Sequence, residues 1–234
     1  MRITDVSTIK LRYTVPTPMA DAIHYMPQRT VLLIRIATDA GLVGTGESAA
    51  YGGSLESMER VVLDDLRPSL IGEDPFAVSR LWQRMAYRSH QRGPNGMLMQ
   101  AISGVDIALW DLIGQATQTP LYRLFGAYRD ELEAYASAGF YAGNKSSHDL
   151  AEEVGGYAER GFRGVKIKVG RNPEVMLNPL PDAWAPEYAT VSLEDDIQRV
   201  RAARAAIGPS VRLAIDANNA WIPSTALQLS LIHI

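Results

Sequence analysis

The stretch Gly164-Val-Lys-Ile-Lys-Val-Gly170 is the most informative part of this sequence. Side chains alternate between the two faces of a β-strand, so Lys166 and Lys168 face one way and their apolar neighbours face the other. Two interpretations are open for the heptapeptide by itself. The lysines could lie in water on a half-exposed strand, or they could line a polar site. The elements around the stretch favour the second interpretation.

Strands and helices are predicted to alternate around the lysine strand. We expect strands over 132–137, 164–169 and 211–216, helices over 147–160 and 193–207, and a further helix capped by Ser224. This alternation predicts βαβ units and a parallel sheet. Strands in such a sheet are covered on both faces, so two lysines on one face must point into something polar. Residues 171–191 are rich in proline and are expected to be an ordered excursion or a mobile loop at the C-terminal end of the lysine strand, where α/β folds place their chemistry.

The first half of the chain has a different pattern, with strands first and helices after them. We expect strands over 2–13, 30–37 and 42–47 and helices between 54 and 117, the first capped by Ser54 and the second opening at Asp74-Pro75. Residues 1–125 are therefore predicted to form an α+β domain. Residues 126–228 are predicted to form a second, α/β domain.

Composition excludes several classes of partner. The chain has 234 residues, a formal net charge of −3 and no cysteine. No basic cluster suggests a nucleic-acid partner, and any metal must be held by oxygen or nitrogen ligands. The most apolar run, at 31–34, is far too short to span a bilayer. We expect a cytoplasmic protein without a nucleic-acid or membrane partner.

A second candidate site segment, Ala214-Ile-Asp-Ala-Asn-Asn-Ala-Trp221, follows one βα unit later. Asp216 and Asn218 are two residues apart and are expected to face the same side at the end of a strand. Asp216 offers a hard oxygen ligand suited to magnesium, although an aspartate in this position also caps helices or forms turns. If the two lysines are buried together, repulsion and desolvation should lower their pKa values toward those of a general base.

Four motifs in order resemble one known family. They are Ala101-Ile-Ser-Gly-Val-Asp-Ile-Ala-Leu-Trp-Asp-Leu-Ile-Gly114, Pro120-Leu-Tyr-Arg-Leu-Phe-Gly126, the lysine strand and the segment 216–221. Together they resemble the mandelate racemase/muconate-lactonising branch of the enolase superfamily, and its mandelate racemase-like subgroup in particular. The resemblance implies an α+β capping domain followed by a partial α/β barrel of the TIM type, (β/α)7β, with the active site at their junction.

The resemblance also implies roles for particular residues. Lys168 matches the general base, Lys166 matches the lysine that assists it, and Asp216 matches the first of three carboxylates that hold Mg2+. The loops at 16–28 and 48–54 match segments that close over the substrate. The candidate substrate contacts are His24, Tyr25, Tyr51 and Asn218.

The implied reaction is removal of a proton next to a carboxylate. We expect a lyase that dehydrates a sugar acid. A racemase or epimerase, or a cycloisomerase, would use the same lysine and metal and stays open as an alternative. The expected partner is a small carboxylate, and the whole protein is expected to be a homo-oligomer.

The length of the chain suggests an incomplete barrel. A complete barrel takes about 250 residues, whereas three βα units are predicted here, so further metal ligands and a second acid/base would lie beyond residue 234. We therefore expect the 234 residues alone to be a C-terminally truncated, inactive fragment. Residues 229–234 are expected to be a non-native tail, because a common sequencing adapter translates to the same six residues.

Overall fold

The computed structural model describes residues 1–49, 54–88, 95–172 and 191–233. The strands are β1 (Ile3–Ala20), β2 (Tyr25–Thr38), β3 (Val43–Ala49), β4 (Ala136–Ala138), β5 (Tyr141–Ala142), β6 (Gly164–Lys168) and β7 (Arg212–Asp216). The α-helices are α1 (Leu55–Arg60), α2 (Val78–Arg88), α3 (Met97–Thr117), α4 (Leu121–Leu124), α5 (Ser147–Glu159), α6 (Leu193–Ile207) and α7 (Pro223–His233). A π-helical segment, Val61–Leu66, and a 3-10 turn, Arg67–Ser69, continue α1.

The chain divides into two compact units. The first comprises Met1–Tyr13 and Arg29–Asp130, and the second comprises Thr14–Gln28 and Glu131–Ile234. The boundary expected at residue 125 placed residues 14–28 in the first domain, whereas here they group with the second unit. The cause is local: Met19 and Ala20 at the end of β1 pair with β5.

The first unit is built on antiparallel strands covered by the long helix α3. β2 and β3 pair over seven residues, from Val31 with Ala49 to Ala37 with Val43. Apolar residues of β2 and α3 share one buried core, which includes Leu32, Ile34, Ile36, Ile102, Val105 and Leu109. The strands-then-helices order predicted for this region is confirmed.

Two helix starts in the first unit were predicted, with different outcomes. Ser54 caps α1, as expected, because its side chain accepts a hydrogen bond from the Ser57 amide at 3.2 Å. The prediction that α2 opens at Asp74-Pro75 is wrong, since the helix begins at Val78. Asp74 instead forms a turn, in which its carboxylate accepts from the Phe76 amide and its carbonyl accepts from the Ala77 amide.

Helix α3 is long and apolar enough by length and composition to cross a membrane, and among the described helices it alone meets that test. Half of the stretch concerned is buried within the fold, as is common for the core helix of a globular domain. The run at 31–34 is much shorter than this helix.

The second unit contains the predicted parallel sheet, in the order β4-β6-β7. Val165 and Ile167 of β6 pack with Leu150 and Val154 of α5 and with a row of α6 residues, Val200, Ala203 and Ile207. Helices α5 and α6 begin where the sequence predicts, each with a reciprocal Ser-x-x-Asp capping box.

Two local predictions in the second unit are wrong. The strand expected at 132–137 is Ala136–Ala138, which is where the chain pairs with β6. Helix α7 begins at Pro223, so Ser224 lies inside it rather than at its cap. Pro223 suits the first turn because its missing N–H is not needed there.

The close approach of β3 to α3 yields a testable prediction. A Cβ added at Gly46 would overlap the carbonyl oxygen of Gly104, so Gly46→Ala should lower the free energy of unfolding by about 3 kcal/mol, as overpacking does. Gly114→Ala, on α3, is the control, because its Cβ would make ordinary contact with Leu121. It should be neutral or stabilising by up to about 1 kcal/mol. Urea denaturation followed by circular dichroism measures both, and equal effects would contradict the packing argument.

Candidate active site

Three polar side chains meet where β6 and β7 end. The parallel register pairs Lys168 with Asp216. Lys168 Nζ lies 2.7 Å from Asp216 Oδ2, and Lys166 Nζ lies 3.0 Å from the same oxygen. Both lysines therefore lie on one face of β6, as predicted. The lysines line a polar site rather than lying in water, as predicted, because the side chain of Lys168 is 7% exposed and that of Lys166 is 22% exposed.

Asn218 completes this group of side chains. Lys168 Nζ donates to Asn218 Oδ1 at 3.0 Å, and the Asn218 amide donates to Asp216 Oδ1 at 3.1 Å. Asn218 and Asn219 have φ angles of 45° and 63°. Asparagine tolerates this left-handed conformation better than most residues. The turn directs the Asn218 side chain back toward the strand end that carries Lys168.

Each lysine also lies near an aromatic ring. Lys168 Nζ is 5.2 Å from the centre of the Phe140 ring, and Lys166 Nζ is 5.6 Å from the centre of the Tyr135 ring. An ammonium group near the face of a ring is attracted by the ring quadrupole. The two rings thus attract the ammonium groups of the lysines without adding a charge to the site.

The charges of the group shift two pKa values. Burial alone would raise the pKa of Asp216, but hydrogen bonds from Lys168 and Lys166 outweigh it and lower the pKa to about 2. The hydrogen bond to Asp216 raises the pKa of Lys166, against the opposing effect of burial. The prediction of a lowered pKa is therefore wrong for Lys166. Repulsion between the lysines was counted in that prediction, whereas the carboxylate between them was not.

A second polar pair occupies the turn between β1 and β2. Asp21 is buried, and its Oδ1 accepts hydrogen bonds from the amides of Ile23 and His24 at 2.9 and 2.7 Å. His24 Nδ1 lies 3.2 Å from both carboxylate oxygens of Asp21. A carboxylate oxygen is an acceptor, so the neutral imidazole that fits this geometry carries its proton on Nδ1 and a lone pair on Nε2. The His24 side chain is 50% exposed.

This turn lies against the segment that follows β7. Ala22 and Ala220 are buried together, with Ile23 and Trp221 packed against them. His24 is thus placed on the same side of the second unit as the end of β7. Tyr25 begins β2 and is partly buried, and Tyr51 lies outside the described residues.

Sequence reasoning missed several residues near the site. Asp21 gave a weak signal, since it stands three residues before His24, a spacing that suits a local turn. Phe140 gave none, because its position depends on the loop after β4. The buried group Tyr141, Asn172, Asp196 and Arg199 gave none either.

Asp216 is the described residue best placed to bind a hard cation in this group. Its carboxylate is a hard oxygen donor, and its Oδ2 is paired with the ammonium groups of Lys166 and Lys168. The ligand atoms of His148, Asp149 and Glu152 also lie within 4.8 Å of one another, but all three residues are exposed. Asp149 is engaged in the capping box of α5, so we assign no role to that cluster.

Comparison with known proteins agrees with this architecture. Residues 3–126 match the family model of the mandelate racemase/muconate lactonizing enzyme N-terminal domain, and residues 149–230 match the enolase C-terminal domain-like model. The chain therefore belongs to the mandelate racemase/muconate lactonizing enzyme family of the enolase superfamily. The predicted family and fold class, a capping domain followed by part of a barrel, are confirmed.

Individual relatives are similar over nearly the whole chain. Arabinonate dehydratase from Saccharolobus solfataricus is 32% identical over 97% of this chain and 57% of its own length. A 3,6-anhydro-alpha-L-galactonate cycloisomerase from Streptomyces coelicolor is 34% identical over 95% of this chain and 56% of its own. The crystal structure of a racemase from Streptomyces coelicolor with bound magnesium has a TM-score of 0.83 and 31% identity, over 98% of this chain and 58% of its own. The chain thus spans little more than half the length of these relatives.

The contact between His24 and Asp21 predicts a defined imidazole tautomer. When the imidazole of His24 is neutral, its ring nitrogens should show Nδ1 protonated and Nε2 unprotonated in 15N NMR. The substitution Asp21→Asn should move the ring proton of His24 from Nδ1 to Nε2, because an amide N–H at the Oδ2 position would donate to Nδ1.

His148 provides the internal reference for this measurement. It is 79% exposed, and its Nδ1 lies 3.9 Å from Glu152, too far for a hydrogen bond. Its tautomer should not respond to Asp21→Asn. A wild-type His24 with Nε2 protonated would contradict the assigned geometry.

Proposed function

We propose that the whole protein removes the α-proton of a carboxylate substrate, with Lys168 as the base. The observation that carries this proposal is the meeting of Lys168, Lys166 and Asp216 at the C-terminal ends of adjacent parallel strands. Active sites of barrel folds are built at this end of the strands. A base and a second cation are thereby held within reach of one bound anion.

The chemistry requires a base and a positive charge beside it. Loss of an α-proton from a carboxylate places a second negative charge on the same group, which makes the proton weakly acidic. The raised pKa of Lys166 keeps its ammonium charged, so it can stabilise that charge as it develops. Lys168 is held beside it by Asp216 and Asn218, and such fixed geometry lowers the entropic cost of proton transfer.

Magnesium fits the donor chemistry of Asp216. Its carboxylate is a ligand of the type that Mg2+ prefers, and Mg2+ is commonly bound through one or two carboxylates together with water and substrate oxygens. Asp216 would be the ligand supplied by the described residues. When bound, the ion supplies Lewis-acid stabilisation of the substrate carboxylate.

For the reaction we favour dehydration of a sugar acid. Arabinonate dehydratase, a relative of similar sequence, acts on such a compound by its name. His24 offers an exposed acceptor nitrogen, and Asn218 an amide, either of which suits a substrate with several hydroxyl groups. Tyr25 and Tyr51 remain proposed substrate contacts. We expect a cytoplasmic homo-oligomer.

Two alternatives have specific support. Isomerase chemistry, by a racemase, an epimerase or a cycloisomerase, is favoured by the cycloisomerase and the racemase among the relatives. The 234 residues taken alone could also be a non-catalytic piece, since they span little more than half of those proteins. Calorimetric titration with Mg2+ tests the second alternative, because specific binding of Mg2+ by residues 1–234 alone would contradict it.

The proposed base is tested by substitution in the whole protein. Lys168→Gln should lower kcat by about 10²–10⁴-fold, the usual contribution of a positioned acid or base. Substrates are found by screening a panel of aldonic and aldaric acids with Mg2+, with product formation and exchange of the α-hydrogen in D2O as readouts.

Lys10→Gln is the matched control. Lys10 is partly exposed and paired with Glu59, so its substitution should leave kcat and KM unchanged. Retention of α-hydrogen exchange by Lys168→Gln would refute the role of Lys168. Exchange without dehydration in the wild type would instead favour a racemase or epimerase.

A further inference from the structure

A buried cluster of polar side chains lies beneath the ends of β4 and β6. Its centre is Asp196 of α6, which is 0% exposed. The Asp196 carboxylate accepts hydrogen bonds from Tyr141 Oη at 2.8 and 2.9 Å, from the Gly170 amide at 2.8 Å and from Asn172 Nδ2 at 3.0 Å. Gly170 stands two residues after Lys168, at a φ of 100°.

Arg199, one turn further along α6, reaches the same backbone from another direction. Its Nη2 donates to the Gly139 carbonyl at 2.8 Å and contacts the Lys168 carbonyl at 3.4 Å. The guanidinium lies 4.4 Å from the centre of the Tyr141 ring, and Nε is 3.4 Å from Asp196 Oδ1. Side chains of α6 thus bind the Gly139 carbonyl, the Lys168 carbonyl and the Gly170 amide, which are the backbone groups around Lys168.

The cluster extends to the other parts of the site through two neighbouring residues. Asn172 Oδ1 accepts from Trp221 Nε1 at 3.2 Å, which ties in the segment after β7. Arg171 is 1% exposed, and its Nη1 donates to the Asp21 carbonyl at 3.2 Å. The turn that carries His24 is thereby connected to the end of β6.

Stability alone is a poor explanation for this arrangement. Burying two charges costs several kcal/mol per ion, and well-packed apolar residues are often as stable or more stable in their place. Within the described part of the chain, Arg199 Nε is buried without a hydrogen bond, so the pair is not optimised as an ion pair. Apolar side chains, however, could not bind the peptide groups of Gly139, Lys168 and Gly170.

We infer that Asp196 and Arg199 are positioning residues that fix the backbone at the end of β6, so that Lys168 is held toward Asp216 and Asn218. This inference rests on the proposed function for its kinetic consequence, but its structural consequence can be measured without any substrate. Neither residue contacts Lys168 Nζ, and both act through the peptide groups around it. Their loss should therefore reduce turnover more than substrate binding.

The decisive variant removes the charges while keeping the volume. Tyr141→Phe/Asp196→Leu/Arg199→Met, made in the whole protein, replaces the polar cluster by apolar side chains of similar size. Its thermal midpoint should recover relative to Arg199→Met alone, which leaves Asp196 buried and unpaired. If the cluster positions Lys168, kcat of the triple variant should remain below that of the wild type by on the order of 10²-fold. Its KM should stay within about twofold of the wild-type value.

Hydrogen exchange supplies the readout that needs no substrate. The Lys168 amide donates to the Gly139 carbonyl, not to a side chain of the cluster. In the triple variant, the amides of Lys168 and Gly170 should exchange faster, whereas that of Val165, inside the β4–β6 pairing, should not change. Arg201→Met on the same helix is the control, because Arg201 is exposed and forms an ion pair with Glu194.

Each outcome decides the inference. A folded triple variant with wild-type kcat and unchanged exchange at Lys168 overturns it. Should the triple variant fail to fold, Arg199→Lys replaces it, because lysine retains the charge but lacks the planar guanidinium whose Nη2 contacts both the Gly139 and the Lys168 carbonyls. That variant should fold and lose kcat, and full activity would overturn the inference. If the wild-type protein shows no α-proton exchange, the proposed function fails, and amide exchange alone decides the positioning role.

Discussion

The parallel register of β6 and β7 is the constraint on which the site depends. It sets Lys168 beside Asp216, and the two-residue period of a strand places Lys166 on the same face. A slip of one residue would turn both lysines toward the opposite face, away from the carboxylate. The register is held by the core, because Val165 and Ile167 must remain buried against α5 and α6. Apolar packing on one face thus fixes the charges on the other.

Helix α6 contributes to both sides of this arrangement. Val200, Ala203 and Ile207 belong to the apolar core, while Asp196 and Arg199 bind backbone groups where the sheet ends. Regular pairing satisfies the peptide groups within a sheet, but groups beyond the last pair need other partners when they are buried. Asp196 and Arg199 lie in the N-terminal half of α6, next to those groups. One helix therefore provides both the packing and the hydrogen bonds that the strand end requires.

Sequence patterns predicted the parts of this fold that are determined locally. The bounds of α6 follow from its capping box and its apolar period. The strand expected at 132–137 was misplaced because Ala136–Ala138 becomes a strand through its pairing with β6, which the local sequence does not specify. The Asp196 and Arg199 pair could not be predicted, since an aspartate and an arginine three residues apart are typical of a solvated helix face. Their burial is a property of the tertiary structure.

Strand direction gives an argument for the separate roles of the two lysines. Lys166 precedes Lys168 by two residues, so its Cα lies about 6.6 Å further from the C-terminal edge at the usual rise per residue. A substrate bound at that edge would meet Lys168 first. Lys166 reaches the site through Asp216, whose carboxylate raises its pKa and keeps it charged. Position along the strand thus makes Lys168 the better candidate for proton transfer and Lys166 the better candidate for a fixed cation, independently of any resemblance.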